Sequence, residues 1–384
     1  MNIICDKEKC TGCGLCVSRC PKQCITMQSK GVMGHLIPEI NQSFCIDCGL
    51  CQKSCPSNHP QEKKMPSIAY AAWAKDEEDY RTSTSGGAAS VLSQYAISQG
   101  GVVYGCAMLP DLEVKHIRVD NYDDLRKLKG SKYVQSNIIE VIPQIQEDVK
   151  AGRFTLFIGT PCQVAAIKSL YKEQPANLLL VDLICHGVPS LAILKDHIHR
   201  VYPSPHYDNV LFRDEAYVVV VVVVDGKKVY NKSLKDYRFR EWYINTFFYG
   251  YTYRDSCYQC QYACPERCSD ITIGDFWKLG KKVPANYIPA HAHGCSVLLP
   301  MTDAGKRAID AIINKMNIYP REAQEAIDGN DQLRAPFKAD WRIRFYRKHY
   351  TTFGHHLYHV LNIDNILLTD LRKIKKSLTK YIKK

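Results

Sequence analysis

Cys10-Thr-Gly-Cys13-Gly-Leu-Cys16-Val-Ser-Arg-Cys20-Pro21 opens the chain, and Cys45-Ile-Asp-Cys48-Gly-Leu-Cys51-Gln-Lys-Ser-Cys55-Pro56 repeats its pattern. Both read C-x2-C-x2-C-x3-C-P, a run that holds cubane iron–sulfur clusters. Three thiolates so close in sequence reach one cluster only if the chain wraps tightly around it. The fourth, followed by proline, turns away to the neighbouring cluster. The pattern predicts one 4Fe–4S cluster on Cys10, Cys13, Cys16 and Cys55, and a second on Cys45, Cys48, Cys51 and Cys20. Structural zinc sites are built from paired C-x2-C units, which a triplet plus Cys-Pro, present twice, does not match.

Working outward, residues 1–60 read as a bacterial-type two-cluster ferredoxin module, with a connecting hairpin over Met33 to Ile40 containing Gly34 and Pro38. Cys5 and Cys24 fall outside the motifs, and Cys24 suits a packing position beside a cluster. Ser57 to Pro66 turns polar and reads as a linker. The whole chain has 384 residues, 46% hydrophobic, with 18 cysteines, enough for two or three domains with a sizeable core. Ten cysteines lie within the first 55 residues. Thiols used this way, with no secretory signal pattern, predict a reducing, cytoplasmic setting. No apolar stretch approaches the ~20 residues that cross a bilayer. The longest, Ala216 to Val224, reads as a buried strand.

The net charge of +12 is concentrated at the end. Trp341 to Lys384 carries eleven Lys and Arg against Asp364 and Asp370. The basic balance therefore describes a tail, and no nucleic-acid partner is expected. Leu361 to Leu378 places Ile363, Ile366, Leu367, Leu371, Ile374 and Leu378 at roughly helical spacing. Such a basic helix can lie on an anionic membrane surface or pack on its own core.

Between module and tail the pattern is α/β. Ile68 to Ala74 reads as a strand, followed by Arg81-Thr-Ser-Thr-Ser85-Gly86-Gly87 at the mouth of a helix. Hydroxyls, glycines and a helix N-terminus make an anion cradle there, or a simple N-cap and turn. Val102 to Ala107 is the next strand. Phe154 to Ile158 and Leu178 to Ile184 are short buried strands, each followed by a Pro/Gly turn and a helical pattern, which predicts a mainly parallel sheet. Their turns carry Cys162 and Cys185 just beyond the carboxyl ends of adjacent strands, where open α/β sheets bind ligands. Val210 to Val224 and Lys227 to Asn231 form a predicted hairpin about Asp225-Gly226. An aromatic span then runs from Tyr237 and Phe239 through Trp242 to Tyr253; it either packs a core or stacks a flat ring.

At Gly-Thr-Pro-Cys162-Gln, Cys185-His-Gly-Val-Pro-Ser and Ser-Cys257-Tyr-Gln-Cys260 followed by Ser-Asp270-Ile-Thr-Ile-Gly-Asp275-Phe-Trp, the chain resembles the beta subunit family of coenzyme F420 hydrogenase/dehydrogenase. Ser85-Gly86-Gly87 and Gly130-Ser-Lys-Tyr133-Val-Gln-Ser136 match its first half. Charge and apolar spacing make 319–384 a basic helical tail; the resemblance, over about Ile68 to Leu299, implies an amino-terminal domain over 67–148 and a carboxyl-terminal domain over 149–318. It implies a flavin-binding core in which Ser85, Gly86, Gly87 and Thr160 line FAD. It further implies an iron–sulfur flavoprotein oxidoreductase that passes electrons from the ferredoxin-type clusters through FAD to an organic acceptor. That acceptor would be deazaflavin-like, a pigment or a substrate of a polysaccharide pathway. The alternatives are a non-catalytic electron-transfer subunit and an accessory redox protein; either way an electron donor or acceptor protein is the expected partner.

Cys162, Cys185, Cys257 and Cys260 supply four thiolates from three segments, enough for a third 4Fe–4S cluster beside the flavin. Cys264 and Cys268 extend the last pair to C-x2-C-x3-C-x3-C and offer a local alternative. Cys162 at a helix start is also a candidate redox thiol of lowered pKa. His186 is a candidate proton donor. Asp275, with Arg267, is a candidate contact to flavin or substrate, or a surface ion pair.

Overall fold

A computed structural model describes residues 3–214, 217–234, 241–364, 366–367 and 370–371. The first motif winds through a one-turn helix, α1 (Leu15–Ser18), into a hairpin of β1 (Ile25–Lys30) and β2 (His35–Ile40), and the second through α2 (Leu50–Lys53). Gly14 and Gly49 precede the two helices with left-handed backbone, at φ of 74° and 68°, a conformation glycine adopts without a Cβ penalty.

An eight-stranded sheet forms the body. Its strands are β3 (Ala69–Ala74), β4 (Val102–Leu109), β5 (Glu113–Val119), β6 (Thr155–Gly159), β7 (Leu178–Leu183), β11 (Ile271–Asp275), β12 (Ser296–Pro300) and β13 (Met316–Arg321), in the order β13-β3-β12-β11-β7-β6-β4-β5. The predicted α/β fold is present, and the central run β11-β7-β6-β4 is parallel. The expectation of a mainly parallel sheet needs correction. The four flanking pairings are antiparallel, so the sheet is mixed: β4 returns as β5, and β11 as β12, with no α-helix between them, a direct return that antiparallel neighbours allow. Segments 67–148 and 149–318 contribute to this one sheet, and β13 runs across 318/319.

The middle strands are apolar throughout because both faces are covered. Leu178 and Leu180 point to the side packed by α5 (Val141–Lys150) and α6 (Pro161–Lys168). Leu179 and Val181 point to the side packed by α3 (Glu77–Thr82), α4 (Ala88–Ser98) and the helix Asp303–Ala311. The apolar run Val210 to Val224 is itself two strands, β8 (Asn209–Asp214) and β9 (Tyr217–Val224); β10 (Lys227–Ser233) pairs with β9 about the Asp225-Gly226 turn. This small sheet packs with the helices α7 (Leu191–Val201), Trp242–Phe248, Trp341–Phe353 and His356–Leu361. Most of the aromatic span is therefore core: Trp242, Tyr243, Tyr251 and Tyr253 are buried there. Tyr237, Phe239, Ala216, Ile374 and Leu378 lie outside the described residues. Within the described tail, Ile343 and Tyr346 are buried against the body. No helix among the described residues is long and apolar enough to cross a membrane.

Leu180, fully buried at the centre of β7, is expected to cost about 2–5 kcal/mol of stability when cut to alanine; a chemical denaturation midpoint of Leu180→Ala against the parent chain measures it.

Candidate cofactor cavity and cluster sites

Cys10, Cys13, Cys16 and Cys55, the first predicted ligand set, ring one cavity. Cys5, which the motifs passed over, is a fifth thiol on that cavity and hydrogen-bonds Cys10 and Cys55. That bond, helped at Cys10 by the Arg254 charge, draws both thiols down to about 6. The second set gathers Cys20, Cys45 and Cys51 in a small apolar cluster with buried Cys24 and Ile25, while Cys48 is exposed. Cys24 Sγ lies 3.4 Å from Cys20 Sγ, the packing position expected for it. Among the described residues no group of three His, Cys, Asp or Glu is drawn around a single-ion site. Thiols spread around a cavity suit the larger cubane.

The two halves of the module differ in what surrounds them. Leu15 is 1% exposed and its counterpart Leu50 is 37% exposed. A Cβ on Gly14 would lie 2.3 Å from Ile139 of the body, and one on Gly12 2.6 Å from the Arg254 guanidinium. At the positions equivalent to these two, Gly49 meets only Lys53 at 4.0 Å and Asp47 holds a left-handed backbone. The first motif is pressed against the body, and the second faces outward.

Cys162, Cys185, Cys257 and Cys260 converge behind the first motif. Cys162, Cys185 and Cys257 each feel the charge of Cys260, and Cys162 also feels Cys13. Cys13, Cys162 and Cys260 pack on one apolar cluster around Tyr262. Burial pushes all four thiols up, Cys185 and Cys257 to about 12. The start of α6 therefore does not make Cys162 a low-pKa redox thiol: burial outweighs the helix. Four half-buried, desolvated thiols of this kind ionise readily only with a cation at hand, which fits a cluster. Arg267 is not at the surface. It is 2% exposed, ion-pairs Asp182 at 3.6 Å, and its charge acts on Cys185 and Cys260. Cys264 is held by Lys63 and by carbonyls of its own turn, and Cys268 is buried by α6 and β7.

Beyond the carboxyl ends of β6, β7 and β11 opens a cavity of about 360 Å³, where strand direction reverses from parallel to antiparallel pairing. Ser85, Gly87, Thr160, His186 and Asp275 all line it, as do Cys162 and Cys185. Gly86 lies beneath: its Cβ would sit 2.1 Å from Ala72 O and 2.6 Å from Ser296 N, so only glycine lets this turn rest on β3 and β12. Gly87, at φ 82°, begins α4. Among the described residues the Ser85 hydroxyl is buried without a partner, an orphan that a ligand would satisfy. Thr160 lines the cavity with its hydroxyl already engaged. Its hydroxyl and amide both donate to Gln163 Oε1 at 3.0 Å, and Gln163 in turn donates to Ser136.

Several cavity residues were given no role from the sequence. Lys129 bonds Thr82 Oγ1 at 2.7 Å and pairs with Asp79. Lys132 is half-buried, and the loss of solvent around it lowers its pKa. Arg213 donates to Tyr133 Oη at 2.9 Å and lies 3.5 Å from Asp275. Tyr133 stacks on Phe247 at 4.6 Å. The quoted Gly130–Ser136 stretch already held Lys132 and Tyr133, but Arg213 sits on β8 with no local signal. Burial lowers the pKa of His186, so it is neutral at pH 7.

His116, on the cavity floor, bonds Ile158 O at 2.9 Å and Ser136 Oγ at 3.1 Å. Burial draws its pKa down to about 4, against about 6.5 when unfolded. The unfolded chain thus binds the proton first, and His116 subtracts stability as pH falls from about 6.5 to about 4. Denaturation of His116→Asn from pH 7 to pH 4.5 is expected to show a shallower loss than the parent.

Residues 69–143 match the family described as coenzyme F420 hydrogenase/dehydrogenase, beta subunit N-term. Residues 153–326 match the same beta subunit's C terminus, and residues 9–59 match a 4Fe-4S dicluster domain. The chain is also similar to a chain in a structure of the F420-reducing NiFe hydrogenase complex from Methanosarcina barkeri, at 17% identity and TM-score 0.45, covering 70% of this chain and 91% of that one. No curated protein matches. With cluster thiols ahead of a mixed sheet whose two matched segments span most of the body, this iron–sulfur protein belongs to the coenzyme F420 hydrogenase/dehydrogenase beta subunit family.

Proposed function

We propose that this electron-transfer protein is an iron–sulfur flavoprotein reductase, with FAD in the 360 Å³ cavity and a third 4Fe–4S cluster on Cys162, Cys185, Cys257 and Cys260. When bound, these groups would supply one-electron transfer and, at the flavin, its conversion to hydride chemistry with a small organic acceptor. The observation carrying the reading is that Cys162 and Cys185 belong to the converging thiol set and line the cavity as well.

The chain's own groups divide the work. Ser85 offers an unpartnered hydroxyl at the start of α4, and Lys129 brings a cation to the same wall; both favour a diphosphate. Tyr133 and Phe247 present a stacked aromatic wall against which a flat ring can lie. Neutral His186 is able to accept a proton or to offer its ring N–H as a hydrogen bond to an acceptor, and Asp275 holds Arg213 over the cavity. The exposed Cys48 end of the module faces the expected redox partner protein, in a cytoplasmic setting. A deazaflavin-like acceptor, a pigment and a polysaccharide-pathway substrate all remain chemically compatible with this cavity.

Anaerobic purification with iron, sulfide and flavin counting tests the reading. About twelve iron per chain with FAD released on denaturation is expected. About eight iron without flavin sinks it, and flavin without turnover on any small acceptor reassigns the chain as a partner enzyme's subunit. Serine at Cys257 and Cys260 is expected to remove about four iron.

A further inference from the structure

Arg254 lies between the module and the body and is 3% exposed. Its Nε donates to Cys10 O at 2.7 Å, and its terminal nitrogens donate to Leu36 O at 2.6 Å, Gln135 Oε1 at 3.2 Å and Cys10 Sγ at 3.7 Å. Its own amide donates to Val188 O at 3.0 Å, and its carbonyl accepts from Cys257 N at 2.9 Å. Among the described residues no carboxylate ion-pairs with it; the adjacent Asp255 is turned to Arg347. A guanidinium buried without a counter-charge is strongly disfavoured. Of the groups it bonds, Cys10 Sγ alone can carry a negative charge.

We infer that Arg254 is the buried counter-ion of the first cluster, a positioning residue that raises the reduction potential of that cluster and seats it against the body. Reduction of a 4Fe–4S cluster adds one electron and makes or breaks no bond. The added negative charge is favoured by a cation hydrogen-bonded to a ligand sulfur in a site with little water. The fixed charge also explains Gly12. Any side chain there would collide with the guanidinium, whereas the outward motif carries Asp47 at the same place. The inference rests on cluster assembly at Cys10, Cys13, Cys16 and Cys55, and iron content tests that separately.

The experiment is a potentiometric titration of the full, iron-loaded chain, reduced by dithionite as the one-electron donor and read by electron paramagnetic resonance. In Arg254→Gln, one cluster transition is expected to move. At the parent's midpoint its reduced-to-oxidised ratio should fall about tenfold, or ~59 mV for a one-electron couple, while the outer cluster stays in place. Arg254→Lys, which keeps the charge, should return the ratio to within about threefold of the parent. Full iron with an unmoved transition in Arg254→Gln overturns the inference, as does a lysine variant that behaves like glutamine. Should the glutamine variant lose its iron, Arg254→Lys decides alone: a ratio near the parent's upholds the inference, and a tenfold fall overturns it. A parent chain that takes up no iron would instead defeat the cluster assignment.

Discussion

Compensation of buried charge between guanidinium and thiolate is the constraint on which this molecule depends. Arg254 and Arg267 are nearly inaccessible to water, and only Arg267 has a carboxylate, Asp182, within ion-pair reach among the described residues. Cysteines surround both. In water a thiol and an arginine would each be solvated separately; inside the protein neither charge is tolerable alone. Arginine and thiol are thus mutually supportive, and the Arg254 contacts to Cys10 and Leu36 fasten the module to the body.

That fastening gives the module a direction its sequence symmetry lacks. Two copies of one motif, related almost residue for residue, end in different environments because Ile139 and Arg254 press on one of them. Leu15 becomes core and Leu50 becomes surface. One cluster site therefore abuts the body's own thiols, and the other offers Cys48 to solvent.

The body contributes a sheet that changes character along its width. Parallel strands β6, β7 and β11 end together at one edge, and turns carrying cysteines continue from the first two. Antiparallel β12, β3 and β13 complete the sheet on one side and bring the Ser85–Gly87 turn to the same opening. Gly86 is the point of closest approach, backbone against backbone. The converging thiols and the cavity thus meet at a strand edge, with Cys162 and Cys185 common to both.

Much of this was legible in the residues because it is local. Thiol spacing reports its ligand pattern within a dozen residues, and continuous apolar strands report a sheet covered on both faces. The Ser85-Gly86-Gly87 turn and the strand-end position of Cys162 and Cys185 were equally plain, since glycine, proline and hydroxyl residues act on their immediate backbone. Sheet order was not: β3 reads as a strand whether its neighbours run with it or against it, and nothing local marked β12 and β13, so the antiparallel half went unseen. Arg213, Arg267 and Arg254 carry no local mark of burial, and an arginine in a polar stretch reads as surface until the fold encloses it. Cys5 lacked the motif spacing and yet reached the first cavity through the tertiary fold. Local chemistry determined what this chain can hold; only packing between distant segments decided which charges are buried together, which motif faces inward, and where thiols and cavity meet.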